Sequence, residues 1–86
     1  MNINELIAIV KKKIESEIVV ENISIEDKSF LHKNHKSNNP NKFHIKLKIK
    51  SEKLKNMGRI QSNKIIFKLL ENELKKYIHS LQILFL

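Results

Sequence analysis

Apolar residues recur at helical spacing over residues 3–14: Ile3, Ile7, Val10 and Ile14 share one face, with Leu6 beside them. Asn2 or Asn4 can cap the start of this helix, and Lys11, Lys12 and Lys13 sit in its last turns, where cations suit the helix dipole. Over residues 18–26 the pattern changes. Val19, Val20, Ile23 and Ile25 are β-branched, and Ile23-Ser24-Ile25 alternates, which predicts a strand. Residues 43–50 give the clearest signal in the chain. Phe43, Ile45, Leu47 and Ile49 alternate with His44, Lys46, Lys48 and Lys50, so one face is expected to be buried and the other wet. Residues 51–59 read as a connector holding Gly58, the only glycine. A second helix is predicted over 60–76, with Ile60, Ile65 or Ile66, Leu69, Leu70, Leu74 and Tyr77 as its apolar set and Glu71–Lys75 as an i,i+4 ion pair. A last strand is predicted over 79–85.

The resulting order is α-β-β-α-β. Strands one and two are joined by the polar stretch 27–42, whose Ser37-Asn38-Asn39-Pro40-Asn41 core is turn chemistry. They are expected to pair antiparallel. The third strand follows a helix, so it is expected to return parallel to a neighbour through a right-handed crossover. With helices covering one face of a three-stranded sheet, the fold class is α+β, a two-layer domain. No repeat or composition break divides the chain, and residues 1–86 read as one domain.

Composition narrows the functions. With 41% hydrophobic residues one modest core is affordable, and the absence of cysteine excludes a disulfide framework, a zinc ribbon and a thiol redox motif. No signal-peptide pattern and no apolar run of membrane-spanning length stand out, so a soluble cytoplasmic protein without a membrane partner is expected. The net charge of +8 is uneven: residues 28–86 carry fourteen basic side chains against Glu52, Glu71 and Glu73. Such asymmetry suits a nucleic-acid surface, for which Arg59, Lys64 and Lys68 around the second helix are the candidate phosphate contacts. Yet Arg59 is the only arginine, and no G-x-x-G loop is present, so any DNA binding should be weak, salt-sensitive and poor at reading sequence. No Ser-His-Asp order, phosphate loop or carboxylate pair supports an enzyme.

The histidines carry the remaining chemistry. His79 stands where the second helix hands over to the last strand. From spacing alone it is either a helix-terminal residue favoured by the dipole or a metal ligand. His32 and His35 lie in the polar loop, and either is a solvated loop residue or a ligand. His44, alternating with lysines, reads as a solvated strand residue, or else as a partner for a loop carboxylate such as Asp27. All four together would make a weak zinc motif, since they show no helical i,i+4 pair. Two imidazoles without a thiolate do not close a metal site, so any such site would be shared with another molecule.

The element order, Glu26-Asp27-Lys28-Ser29 at the loop start, Phe43-His44-Ile45 opening strand two, Ser51 at its end, Leu70-Glu71-Asn72-Glu73-Leu74 and, above all, Ile78-His79-Ser80-Leu81 together resemble the BolA family over nearly the whole chain. The last segment is similar to that family's "[V/I]-H-A-L" element. Two departures are clear: the family's F-x-G is Leu54-Lys55-Asn56 here, and its R-H-R triplet is Ser62-Asn63-Lys64. The resemblance implies a KH-like fold of the second type. It also implies a non-enzymatic adaptor in iron–sulfur trafficking or iron and redox regulation, which pairs with a monothiol glutaredoxin and shares a [2Fe–2S] cluster with that protein and glutathione. His79 would be a cluster ligand. His32 would be a second, with His35 as its alternative, in the branch of the family that uses a loop histidine. A small basic transcriptional regulator using the KH-like fold is the alternative function.

Overall fold

The structure is a computed structural model and describes residues 1–29 and 42–86. Helix α1 spans Ile3–Glu17, β1 Asn22–Asp27, β2 Phe43–Lys50, α2 Glu52–Met57, α3 Arg59–Leu69, α4 Glu71–Lys76 and β3 Ile78–Phe85. Asn2 caps α1 reciprocally: its side-chain oxygen accepts the Glu5 N–H at 2.8 Å, while its amide donates to Glu5 Oε1 at 3.0 Å. The helix buries Leu6, Val10 and Ile14 completely. It runs three residues past the expected end, since nothing in Glu15-Ser16-Glu17 breaks it. It stops at Ile18, whose backbone is extended while its N–H still bonds Ile14 O. That late stop shortens the following strand, which starts at Asn22 instead of 18.

The three strands form one sheet in the order β1-β2-β3. The β1–β2 pair is antiparallel, from Asn22 opposite Lys50 to Asp27 opposite Ile45. The β2–β3 pair is parallel, as a helical crossover requires. β2 is therefore central, and its alternation decides the layers. Ile45, Leu47 and Ile49 join Leu6, Val10, Ile14, Ile18, Leu54, Ile66, Leu70 and Ile78 in the core. Lys46 and Lys48 remain half-buried on the opposite side.

The crossover differs from the sequence reading. The stretch expected as a connector contains α2, and the expected single helix over 60–76 is two helices. Ser51 makes α2 by capping it: its Oγ accepts the Leu54 N–H at 3.3 Å and donates to Val19 O at 2.8 Å. Six residues with one buried apolar side chain, Leu54, are too few to show periodicity. Gly58, at φ 89°, turns the chain between α2 and α3, a backbone angle that side-chain-bearing residues rarely adopt. The buried Ser62 hydroxyl then bonds Leu54 O at 2.6 Å and locks α3 onto α2. A single residue, Leu70 at φ −100° and ψ 16°, separates α3 from α4. Its own N–H still bonds Ile66 O, so the apolar pattern runs through the break unaltered.

Glu73 on α4 is buried, and Lys13 of α1 donates to both its carboxylate oxygens, at 2.9 and 2.8 Å. The acid side chain is 6% exposed and the lysine 38%. Among the described residues no buried side-chain polar atom lacks a partner. Lys13→Ala leaves this carboxylate unpaired, and an expected loss of about 2 kcal/mol sits below that for a fully dry pair because Lys13 is part-solvated. Urea unfolding of Lys13→Ala, Glu73→Gln and the double variant checks this. The double variant should lose clearly less than the sum of the two, whereas additive losses would mean that the contact carries no coupling.

Candidate functional site

The site lies where β2 and β3 begin side by side. Phe43 faces Ile78, but His44 faces Ser80, so the parallel ladder shifts by one residue and His79 is the extra one on β3. The preceding segment sets this up. Tyr77 ends α4 with its N–H on Glu73 O at 2.8 Å, and its carbonyl accepts the Phe43 N–H at 2.8 Å. Ile78 then drops into the core, and His79 emerges exposed. It therefore belongs to a strand, not to a helix terminus.

His44 corrects the expectation of a solvated strand residue: it is only 4% exposed. Alternation puts it on the side of the sheet away from the helices, as expected, but neighbours cover it there. Its ring lies against the His79 ring, with centroids 4.8 Å apart and planes tilted by 55°. Its Nδ1 is 2.7 Å from Ser80 Oγ. Its backbone is held on the β1 side: His44 N–H donates to Ser29 Oγ at 3.1 Å, and His44 O accepts the Lys28 N–H at 2.7 Å. Asp27 in turn accepts the Ser29 N–H at 2.9 Å, so it acts on β2 through Ser29. One residue thus joins the bulged start of β3 to the segment leading into the polar loop. No periodicity signals this role, because His44 occupies an outward position.

His32 and His35 lie outside the described residues. Among the described residues no group of three or more His, Cys, Asp or Glu side chains is arranged to hold a metal ion. Among the described residues, His44 and His79 are brought together, one buried and one exposed. Lys64 and Lys68 share a stripe of α3 four residues apart, but Arg59 is turned roughly 140° from Lys64 around the helix. Ile60, 76% exposed, and Phe67, 41% exposed, lie on the lysine side. All three cations are exposed, yet they do not form one continuous patch.

Residues 14–86 match the family model described as BolA-like protein. The chain belongs to the BolA family. It is 36% identical over 73 residues to the DNA-binding transcriptional regulator BolA of Haemophilus influenzae, covering 85% of this chain and 68% of that protein. The BolA domain of SufE1 from Arabidopsis thaliana superposes with a TM-score of 0.78 at 25% identity, covering 99% of this chain and 92% of that one. BolA1 from the same plant superposes with a TM-score of 0.76 at 24% identity over 91% and 86% of the two chains. The BolA fold accounts for the mixed three-stranded sheet, and no helix of the described residues is long and apolar enough to cross a membrane.

Beside the histidines, the helix-free side of this BolA sheet carries its own ion cluster. Glu26 accepts from Lys48 at 2.9 Å and Lys28 at 3.0 Å. Hydrogen bonds from Lys48 and then Lys28 lower its carboxyl from 4.5 to about 2. The lysine stripe is thereby partly neutralised at its centre. A depressed folded-state value means that the stabilisation from this group is present above about 4.5 and is lost as pH falls towards about 2. A carboxyl-detected NMR titration should place the Glu26 midpoint well below the other glutamates, and Lys48→Ala should move it up. A Glu26 midpoint level with the others would refute the bonded geometry.

Proposed function

We propose that this chain is a non-enzymatic BolA adaptor that binds a monothiol glutaredoxin and shares a [2Fe–2S] cluster with it, as cargo to be held or passed on. The observation that carries this reading is the exposed His79 imidazole, presented by a strand irregularity and backed by the buried His44 ring. The donor set fits a shared group. The chain has no thiolate, and its described residues offer one exposed imidazole, too few to close a centre by themselves. His79 would be one ligand and His32, with His35 as its alternative, the other from this chain. The family resemblance assigns the rest to the glutaredoxin cysteine and glutathione. Histidine in place of thiolate raises the potential of such a cluster.

The chain's own part is to bind and to orient. Ile78 anchors the strand start in the core while His79 stays outside. The bonds from Ser29 and Lys28 to His44 hold the loop's first residues against the same end of the sheet, so both ligand-bearing segments depart from one rigid point. Mixed with a monothiol glutaredoxin, glutathione, iron and sulfide, the chain should form a coloured one-to-one complex whose visible spectrum changes in His79→Ala. His32→Ala compared with His35→Ala identifies the loop ligand. A stable cluster on the isolated chain without any thiol partner would overturn the reading.

A second reading is favoured by the DNA-binding name of the Haemophilus relative. A BolA-family regulator would present Arg59, Lys64 and Lys68 to phosphates. About four contacts would weaken binding roughly a hundredfold between 50 and 200 mM salt. Titration of random and promoter duplexes decides. A preference of about a thousandfold for one sequence that persists at physiological salt would put this reading first.

A further inference from the structure

Where the family's element has alanine, this chain has Ser80. The atom by which serine exceeds alanine, Oγ, is the one that lies 2.7 Å from His44 Nδ1. The bond differs from an ordinary surface contact because its imidazole partner is buried and pinned at its backbone by Ser29 and Lys28. A serine hydroxyl can donate to Nδ1 or accept from it, so the bond fits either tautomer, and what it constrains is the plane of the His44 ring. It also opposes a flip of the ring, which would carry Nδ1 away from the hydroxyl. The His44 ring so held is the surface on which the His79 ring packs, at 4.8 Å.

We propose that Ser80 and His44 are positioning residues for His79. The hydroxyl holds the His44 ring in one orientation, and that ring restricts the His79 imidazole and so the direction in which its nitrogens point. The restriction belongs to the protein alone. Its consequence for a cluster rests on the shared-cluster reading above. Residues that orient a ligand from behind typically change metal affinity ten- to a hundredfold, by holding it through a hydrogen bond. Here the hold on His79 is ring packing, so an effect of about three- to tenfold is expected.

The test is Ser80→Ala, which removes one oxygen and keeps both rings, with Ser80→Thr as the rescue. Long-range nitrogen–proton spectra of the imidazoles, recorded on the protein without metal at mildly alkaline pH, should show one sharp set of ring signals each for His44 and His79. In Ser80→Ala they should show shifted or broadened His44 and His79 ring signals, and Ser80→Thr should restore the original spectrum. The amide spectrum away from the two strand starts should be unchanged in both variants. In the mixed glutaredoxin complex, Ser80→Ala should lose the cluster to a chelator about three- to tenfold faster, with an altered visible circular dichroism, and Ser80→Thr should not. Unchanged imidazole signals in Ser80→Ala, failure of Ser80→Thr to rescue, or wild-type lability of the Ser80→Ala complex would each overturn the proposal. If the wild-type chain forms no coloured complex, the shared-cluster reading fails, and the imidazole spectra alone still decide the positioning.

Discussion

The parallel ladder between β2 and β3 slips by one residue at its first step, and the chemistry at this end of the molecule follows from that slip. Without the slip, the register of the later rungs would pair His79 with Phe43 and send it to the side of the sheet away from His44. The extra residue lets Ile78 stay in the core, places Ser80 across from His44, and leaves His79 standing out against the His44 ring. The slip is held on both sides. Tyr77 closes α4 and bonds Phe43, so the helix terminus and the first rung of the ladder share a residue. On the far side of β2, Ser29 and Lys28 take up the backbone groups of His44.

That arrangement depends on α4 being correctly seated, which makes the Lys13–Glu73 contact more than a surface ion pair. A short helix of six residues has too little apolar surface to orient itself, and α4 has Leu74 only half-buried. A buried carboxylate gripped at both oxygens by a lysine from α1 supplies a directional constraint where apolar packing is thin. Its partner atoms are satisfied in one rotation of α4 and not in another. A buried ion pair often adds little net stability, yet it penalises misplacement strongly, and a short helix that leads into the slipped start of β3 needs that kind of constraint.

Much of this architecture was legible in the pattern of residues. The alternation of β2, the helical face of Leu6, Val10 and Ile14, and the parallel return of β3 all rest on long periodic signals, which survive because burial enforces them. What was not legible has short or tertiary causes. Helix α2 is too short for a period, and its cap, Ser51, looks like any strand-terminal serine. The Leu70 break lies inside an unbroken apolar run. The burial of His44 depends on a register slip thirty-five residues downstream, and an outward position in a strand carries no mark of what will cover it. His79 was identifiable as the residue of interest from the family element, but its neighbour Ser80, the departure from that element, gained meaning only when the fold set it across from His44.

Charge shows the same limit. Counted along the chain, residues 28–86 look like a polyanion-binding surface. In the fold, Glu26 comes from the acidic first third and takes up Lys28 and Lys48 on the helix-free side of the sheet. The cations of α3 face outward together with Ile60 and Phe67, which water and phosphates solvate poorly. Folding thus breaks the apparent basic stretch into smaller groups, some already neutralised. A phosphate backbone, with its regular spacing of charge, gains most from a continuous track of cations. The strand-start site instead gathers two imidazoles and a hydroxyl at one point.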